Sequence, residues 1–389
     1  MKINIAFVSN FYNHGKVYDQ WGTSFSLLLS RLKSVNKIDV ICPVGVNDNT
    51  VFPEKIRLVE AYNLNKKLSI LNILNILKEN DYDLIIFNYG PTVFGSSNLM
   101  NLIGLFIPIK ISKINKTVII SQGSSLTNDS KNLGYNSIFD KIRTIFVNIL
   151  EKHLYRNVKS FVQLPLYEKM LKEKVKNNKV LGVLKSDYID AISTVYLNGY
   201  LDKEYINVKK INNKPLILLH GFWGPQKDIE FALKILRNVK NKKYDFNLII
   251  SGGINVHFGG YEKYFNDVLK EYNDIIYKYL GYVNEKDLFQ LFTDSDLILM
   301  PYNVPGGQSG VLEMSSFFGS NVICIDFPEF REELKDDDNI ILVKRSDFES
   351  KIIEYISNYK LIDKKIFINK NIERAEKNVM EFLEKSLKN

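Results

Sequence analysis

Short apolar runs, each followed by a longer stretch whose apolar positions recur at helical spacing, alternate along the whole chain. That alternation predicts parallel sheets wrapped by helices. A first series of strands reads Ile3 to Ser9, Ile38 to Val44, Asp83 to Tyr89, Thr117 to Gly123 and Ser160 to Pro165. The order then restarts with Pro215 to Trp223, Phe246 to Gly253, Ile275 to Val283, Asp296 to Tyr302 and Asn321 to Phe327. Between the two series, Tyr200 to Pro215 is polar, rich in Asn and Lys, and weakly periodic, as a linker would be. The expectation is an α/β chain of two Rossmann-like, doubly wound domains, residues 1–205 and 206–364. The tail 365–389 has an apolar stripe of Ile366, Ile372, Val379, Phe382, Leu383 and Leu387, and is expected to form a helix crossing back to the first domain. Two such domains would face each other across a cleft at the carboxyl ends of their strands, where ligands bind in this class of fold.

Composition narrows the setting. At 389 residues, 45% apolar and 25% charged, the chain is ordinary soluble protein too long for one core. Its longest apolar run, Leu102 to Ile111, is about half of a bilayer span, and the first residues lead directly into a strand. No export signal or membrane anchor is expected, which points to the cytoplasm. Cys42 and Cys324 are far apart and lack metal-ligand spacing, as buried thiols in a reducing compartment would be. The formal charge of +8 is uneven: residues 1–200 carry 25 Lys and Arg against 15 Asp and Glu, the remainder 27 against 29. A basic first half is expected to face an anionic membrane surface or a phosphate-bearing acceptor, or to be simply a solvated lysine-rich face. No nucleic-acid motif accompanies it.

Chemistry concentrates in three glycine-bearing turns. In Pro305 to Gly319, PGGQSGVLEMSSFFG, Gly306, Gly307 and Gly310 follow a strand and open a helix. Backbone N–H groups of Gln308, Ser309 and Gly310 at such a helix start suit a phosphate, and Glu313, one turn inward, suits paired ribose hydroxyls. In HGFWGPQKD, His220 to Asp228, Gly221 turns the chain and Lys227 adds a point charge near a helix start, suited to a diphosphate. In the third turn, Gly281 to Val283, main-chain groups suit the edge of a base.

Taken together these residues resemble the second domain of a retaining glycosyltransferase of the GT-B fold, family 4, the glycosyl transferases of group 1. The resemblance spans the chain and is sharpest from Leu218 to Leu334. It implies that Lys227 binds the donor phosphate, Glu313 the ribose, and Val283 the base through its main chain. Two positions depart from the family pattern: Phe222 stands where an Arg is usual, and Pro305 where the first of two glutamates is usual. In the first domain, Asn10 to Leu32 resembles the family's loop after the first strand, with Gly22 the matching glycine and Thr23 opening the helix. Ser121 to Thr127 resembles a segment in which Gln122 takes the place of the usual His. A Gln amide hydrogen-bonds a sugar hydroxyl but does not titrate.

Other acidic and histidine positions read as structural. Asp81 and Asp83, like Asp294 and Asp296, imitate an Asp-x-Asp metal motif but stand just before apolar strands. Asp336 to Asp338 reads as a solvated loop. His14, His153, His220 and His257 lack ligand spacing, so no metal site is expected. His14 and Asp19 are candidates for contact with donor or acceptor in the first-domain loop, and Glu332 or Glu333 for the family's acid after the last strand. The resulting expectation is a retaining, metal-independent hexosyltransferase using a nucleotide-diphosphate sugar, UDP-glucose-like, and a glycan or lipid-linked acceptor, with no cofactor and possible peripheral contact at the inner face of the cell membrane. The alternatives are a non-catalytic nucleotide-sugar sensor or subunit, and a sugar-nucleotide epimerase of the same fold. A periplasmic sugar-binding protein shares the two-lobed plan but would need an export signal.

Overall fold

The apolar runs form two all-parallel sheets. In the first, β1 (Ile3–Val8), β2 (Val35–Pro43), β3 (Ile56–Tyr62), β4 (Leu84–Tyr89), β5 (Thr117–Ser121), β6 (Lys159–Val162) and β7 (Val180–Val183) are ordered β3-β2-β1-β4-β5-β6-β7. In the second, β8 (Leu216–His220), β9 (Asn247–Ser251), β10 (Lys278–Tyr279), β11 (Leu297–Met300), β12 (Asn321–Ile325) and β13 (Ile340–Val343) are ordered β10-β9-β8-β11-β12-β13. Each order reverses at its first strand, so the topological switch points lie at the carboxyl ends of β1 and β4, and of β8 and β11. This computed structural model describes all residues except 1, 11–16, 46–51, 91–92, 95–97, 128–137, 185–188, 190, 198, 200–213, 256–257, 259, 305–308, 334–338, 361–363 and 389. Most of the expected linker therefore lies outside the described residues. The chain divides into one unit of Met1–Ser193 with Glu373–Asn389 and a second of Thr194–Ile372.

In the first unit β4 and β5 are buried along their full length, which is why they read as unbroken apolar runs. The helix Asn98–Ile111 packs Leu105, Ile107, Ile109 and Ile111 into the same core as β4. Among the described residues no helix is long and apolar enough to cross a membrane. The final helix, Lys364–Lys388, buries Val379, Phe382 and Leu383 in this unit. Phe382 packs edge-on against Phe25 and Phe161, with ring centroids 5.6 and 4.7 Å away. Ile366, expected in its apolar stripe, is instead 68% exposed.

In the second unit the helix Ile229–Asn241 covers β8 and its neighbours with Ile229, Ala232, Leu233, Leu236 and Val239. Lys364, at the start of the final helix, is a buried cation made tolerable by oxygen acceptors. It donates to the Phe292 carbonyl and Ser320 Oγ, both at 2.9 Å, and to the Ser295 carbonyl.

Candidate functional site

The second sheet's switch point builds most of the site. β8 ends at His220, and the chain turns at Gly221 with φ +140°, a conformation that L residues rarely adopt. A Cβ there would stand 2.8 Å from Lys227 Nζ, so the glycine makes the room that the ammonium occupies. Pro225–Lys227 form a single 3-10 turn, and Asp228, itself at φ +40°, caps the following helix by accepting from Phe231 N at 3.4 Å. Lys227 Nζ donates to the Tyr302 hydroxyl and lies 4.0 Å from that ring's centroid. Its side chain keeps partial exposure, but the ammonium end is pressed against protein. Burial pulls Lys227 down from its ordinary 10.5 to about 7. His220 is pushed down to about 3, by burial first and by the Lys227 charge second, with its Nδ1 2.7 Å from Ser251 Oγ. At neutral pH His220 is an uncharged wall of the site, and Lys227 changes charge on demand.

Residues that carried no sequence signal hold this turn in place. Asn303 N donates to the Gln226 carbonyl at 2.8 Å, and Asn303 Nδ2 to the Pro225 carbonyl at 3.3 Å. Arg345 Nη1 donates to Asn303 Oδ1 at 2.7 Å, the same guanidinium pairs with Asp228, and it stacks 3.7 Å from the Phe231 ring centroid. The loops after β8 and β11 are thereby tied together. Arg345 follows β13, far from any motif, so only the folded chain reveals the tie.

The turns after β9 and β10 close on the same spot. Gly252, at φ +108°, runs so near β8 that a Cβ would fall 1.8 Å from the Gly221 carbonyl oxygen. Its N–H donates to the Gly281 carbonyl at 2.5 Å, so that carbonyl is already engaged. Beside Gly253 stand Phe222 and Tyr282, 40% and 61% exposed, with ring centroids 6.5 Å apart. Phe222 thus puts an aromatic ring at this rim.

The helix Gly310–Phe317 begins as its sequence predicts. Ser309 is its N-cap, Oγ accepting from Leu312 N at 3.4 Å, and Glu313, one turn on, is only 1% exposed. Pro305, Gly306, Gly307 and Gln308 lie outside the described residues. So do His14, His257 and Asp336 to Asp338. Glu332 is exposed on the helix Pro328–Glu333.

In the first unit one expectation is corrected. The helix after β1 runs Val17–Arg31, so Thr23 does not open it but sits in its interior, fully buried. Gly22 is explained by packing: a Cβ would meet Ser9 Oγ at 2.4 Å and the Asn10 carbonyl at 2.5 Å, so the helix rests directly on the end of β1. Gln122 follows β5, its N–H donating to the Tyr89 carbonyl at 2.7 Å and its Oε1 accepting from Gln163 Nε2.

The loop beyond Gln122 is fastened by a residue that sequence reasoning missed. Glu151 is fully buried, and its carboxylate accepts from Tyr89 OH at 2.8 Å, Ser124 Oγ at 2.7 Å, Ser125 Oγ at 2.6 Å, Ser125 N at 3.2 Å and Leu126 N at 3.3 Å. Burial nonetheless raises its pKa, against the pull of those donors. Asp83 and Asp296 do structural work at strand starts, accepting from Asn4 N at 2.8 Å and Leu216 N at 2.9 Å. Among the described residues no three His, Cys, Asp or Glu side chains converge as metal ligands would.

Known proteins share this plan. Residues 202–384 match the model of the family "Glycosyl transferases group 1". No curated protein matches the sequence. Among solved structures, sucrose-phosphate synthase from Thermosynechococcus elongatus superposes with a TM-score of 0.60 at 13% identity, covering 100% of this chain and 97% of that one. Anabaena Alr3699/HepE in complex with UDP-glucose gives 0.57 at 12% identity, covering 98% and 99%. UDP-GlcNAc 2-epimerase from Methanocaldococcus jannaschii gives 0.53 at 16% identity, covering 98% and 100%. At such identities the neighbours speak for the fold, and the family match speaks for the chemistry of the second unit. Residues 202–384 thus match the glycosyl transferases of group 1, and the whole chain carries the fold of its GT-B glycosyltransferase neighbours.

Proposed function

We propose that this glycosyltransferase moves a hexose, with retention of configuration, from a nucleotide-diphosphate sugar to a glycan or lipid-linked acceptor. The observation that carries the reading is Lys227. A desolvated ammonium at the carboxyl end of β8, in the space left by Gly221, is suited to the negative charge that grows on a departing diphosphate. Helix-start amides around Ser309 and Gly310 add to that stabilisation. A UDP-sugar is the donor class proposed, by analogy with Anabaena Alr3699/HepE bound to UDP-glucose. In this reading the leaving phosphate takes the acceptor's proton, on the face from which it departs, and neither a divalent metal nor a cofactor is required. The second unit serves as donor domain and the first as acceptor domain, its lysine-rich surface available for peripheral contact with an anionic membrane.

The test is sugar transfer from UDP-, GDP- and ADP-glucose, with EDTA and anionic vesicles as added arms. Transfer that survives EDTA is the expected result, and donor turnover that collapses on chelation overturns the metal-free mechanism. An epimerase is the second reading, favoured by the similarity to UDP-GlcNAc 2-epimerase and by Phe222 and Pro305 standing at positions the transferase pattern fills with Arg and Glu. It would release an isomerised sugar without any acceptor. A sensor would bind a donor tightly and turn none over.

A further inference from the structure

The ends of four neighbouring strands in the first sheet carry a row of short polar side chains. Register pairs Val8 with Phe87, Asn88 with Ile120 and Ser121 with Val162. Ser9 and Asn88 therefore lie side by side on β1 and β4, and Gln122 and Gln163 lie side by side just past β5 and β6, two residues further along the strands than Asn88. Alternation along the strands puts them on the sheet face that also carries Phe7 and Phe161. They are bonded in two separate pairs. Asn88 Nδ2 donates to Ser9 Oγ at 3.0 Å, and Gln163 Nε2 donates to Gln122 Oε1.

The two pairs are not joined to each other. Asn88 Oδ1 and Gln122 Nε2 are both buried, and neither has a hydrogen-bond partner among the described residues. One is an acceptor and the other a donor, on adjacent strands about 4.8 Å apart and staggered by two residues, about 6.6 Å along the strand, so they do not bond each other. Asn88 is 1% exposed, so bulk solvent does not satisfy it. Two orphaned polar groups in a core would each cost about 1–3 kcal/mol, and folded proteins keep few of them without a use. The neighbourhood is built to stay fixed. The helix Val17–Arg31 lies on Ser9 through Gly22, without a Cβ between, and Glu151 fastens the loop that follows Gln122.

A hydroxyl group is the complement of this pair, because it donates once and accepts at the same oxygen. We infer that Asn88 Oδ1 and Gln122 Nε2 together hold a single hydroxyl of a sugar ring, Asn88 accepting its proton and Gln122 donating to its oxygen. The inference rests on the glycosyl-transfer reading and adds Asn88, which no motif marks, to the groups that read the sugar. Its ligand chemistry is shared by a donor hexose and by a glycan acceptor.

A double-mutant cycle on the full-length enzyme decides it, with steady-state kinetics on whichever of UDP-, GDP- or ADP-glucose is turned over, and with the parent nucleotide alone as a binding probe. Asn88→Ala and Gln122→Ala are each expected to lower kcat/KM about tenfold. Because both touch one hydroxyl, the double variant should lose no more than about thirtyfold. Asn88→Asp, which keeps the acceptor, should recover most of the loss. Affinity for the nucleotide alone should not change. A rise in donor KM assigns the hydroxyl to the donor hexose, and a rise confined to acceptor KM assigns it to the glycan. A monodeoxy analogue of the assigned sugar should then be used by wild type as poorly as the parent sugar is by the variants. Additive losses near a hundredfold, equal weakening of nucleotide binding, or a wild type indifferent to every monodeoxy analogue would overturn the inference, the last by showing that water fills the gap. Failure of wild type to bind or turn over any of the three donors removes the glycosyl-transfer reading and this subsite with it.

Discussion

Lys227 is the residue on which the proposed chemistry turns, and its environment makes its contribution pH-dependent. Burial holds the free amine at about 7, so it is half charged near neutrality, while a bound diphosphate favours the ammonium. Nucleotide affinity should therefore be greatest below about pH 7. It should fall by up to about tenfold per pH unit above that, until the raised value in the complex is reached. Titration of UDP by calorimetry from pH 6 to 9 measures this, and Lys227→Met should flatten the slope while leaving weak residual binding. Lys227→Ala should cut turnover by ~10² or more, the usual cost of one charge stabiliser. In the proposed role of Glu313 at the ribose, Glu313→Ala should act differently, weakening nucleotide binding with a smaller effect on kcat, since such a contact is shared by ground and transition states. Equal effects of the two variants on KM and kcat would contradict that division of labour. The positions of both residues are marked in the sequence because each stands at a fixed offset from a glycine turn. Those of Glu151 and Asn88 are not, because a lone Glu inside a helical pattern and a lone Asn inside an apolar strand gain meaning only when the sheet brings their partners together.

At the scale of elements, the site is a set of glycine turns stacked on the ends of β8, β9 and β10, and Gly221 is the hinge of that stack. Gly221→Ala would force a side chain into a left-handed conformation, costing about 1–3 kcal/mol, and would put its Cβ where the ammonium of Lys227 now lies. The expected result is a catalytic defect approaching that of Lys227→Ala, together with a lowered urea midpoint. A normal kcat/KM in a fully folded Gly221→Ala variant would show that the room made by this glycine does not matter. Central strands were readable because burial on both faces leaves uninterrupted apolar runs. The strands that the pattern did not announce are β3, β7 and β13, and all three are outermost in their sheets. β7 and β13 are only four residues long, VLGV and IILV, and Arg57 and Glu60 interrupt β3, so none offers a long apolar run. The fourth outer strand, β10, is shorter than Ile275 to Val283 suggested, and the chain turns away from extended geometry at Gly281, φ +62°. The helix after β1 began earlier than Gly22 and Thr23 implied, since nothing in Val17 to Trp21 marks a cap.

At the scale of the whole molecule, the two ends of the sequence share one core. Residues 373–389 belong to the same unit as β1, and the last helix reaches it through Ala375, Val379, Phe382 and Leu383, all buried. Phe382 is the anchor: its ring lies against Phe25 from the helix after β1 and against Phe161 from β6. Arg31 pairs with Glu376 on the same side, and Lys116 donates to the Leu387 carbonyl, but these contacts are at the surface, where ion pairs contribute little. The apolar ring therefore carries the attachment. Phe382→Ala should cost about 3–5 kcal/mol, the usual result of emptying a packed aromatic site, whereas Glu376→Ala should cost well under about 1 kcal/mol. Urea unfolding followed separately by tryptophan fluorescence of Trp21, in the first unit, and of Trp223, in the second, resolves where the loss falls. With Trp21→Phe and Trp223→Phe backgrounds as reporters, Phe382→Ala should shift the Trp21 transition by most of that amount and leave the Trp223 transition near its original midpoint. Equal shifts would mean that the two units unfold as one, and no shift at Trp21 would mean that the helix end is dispensable to the sheet on which it packs.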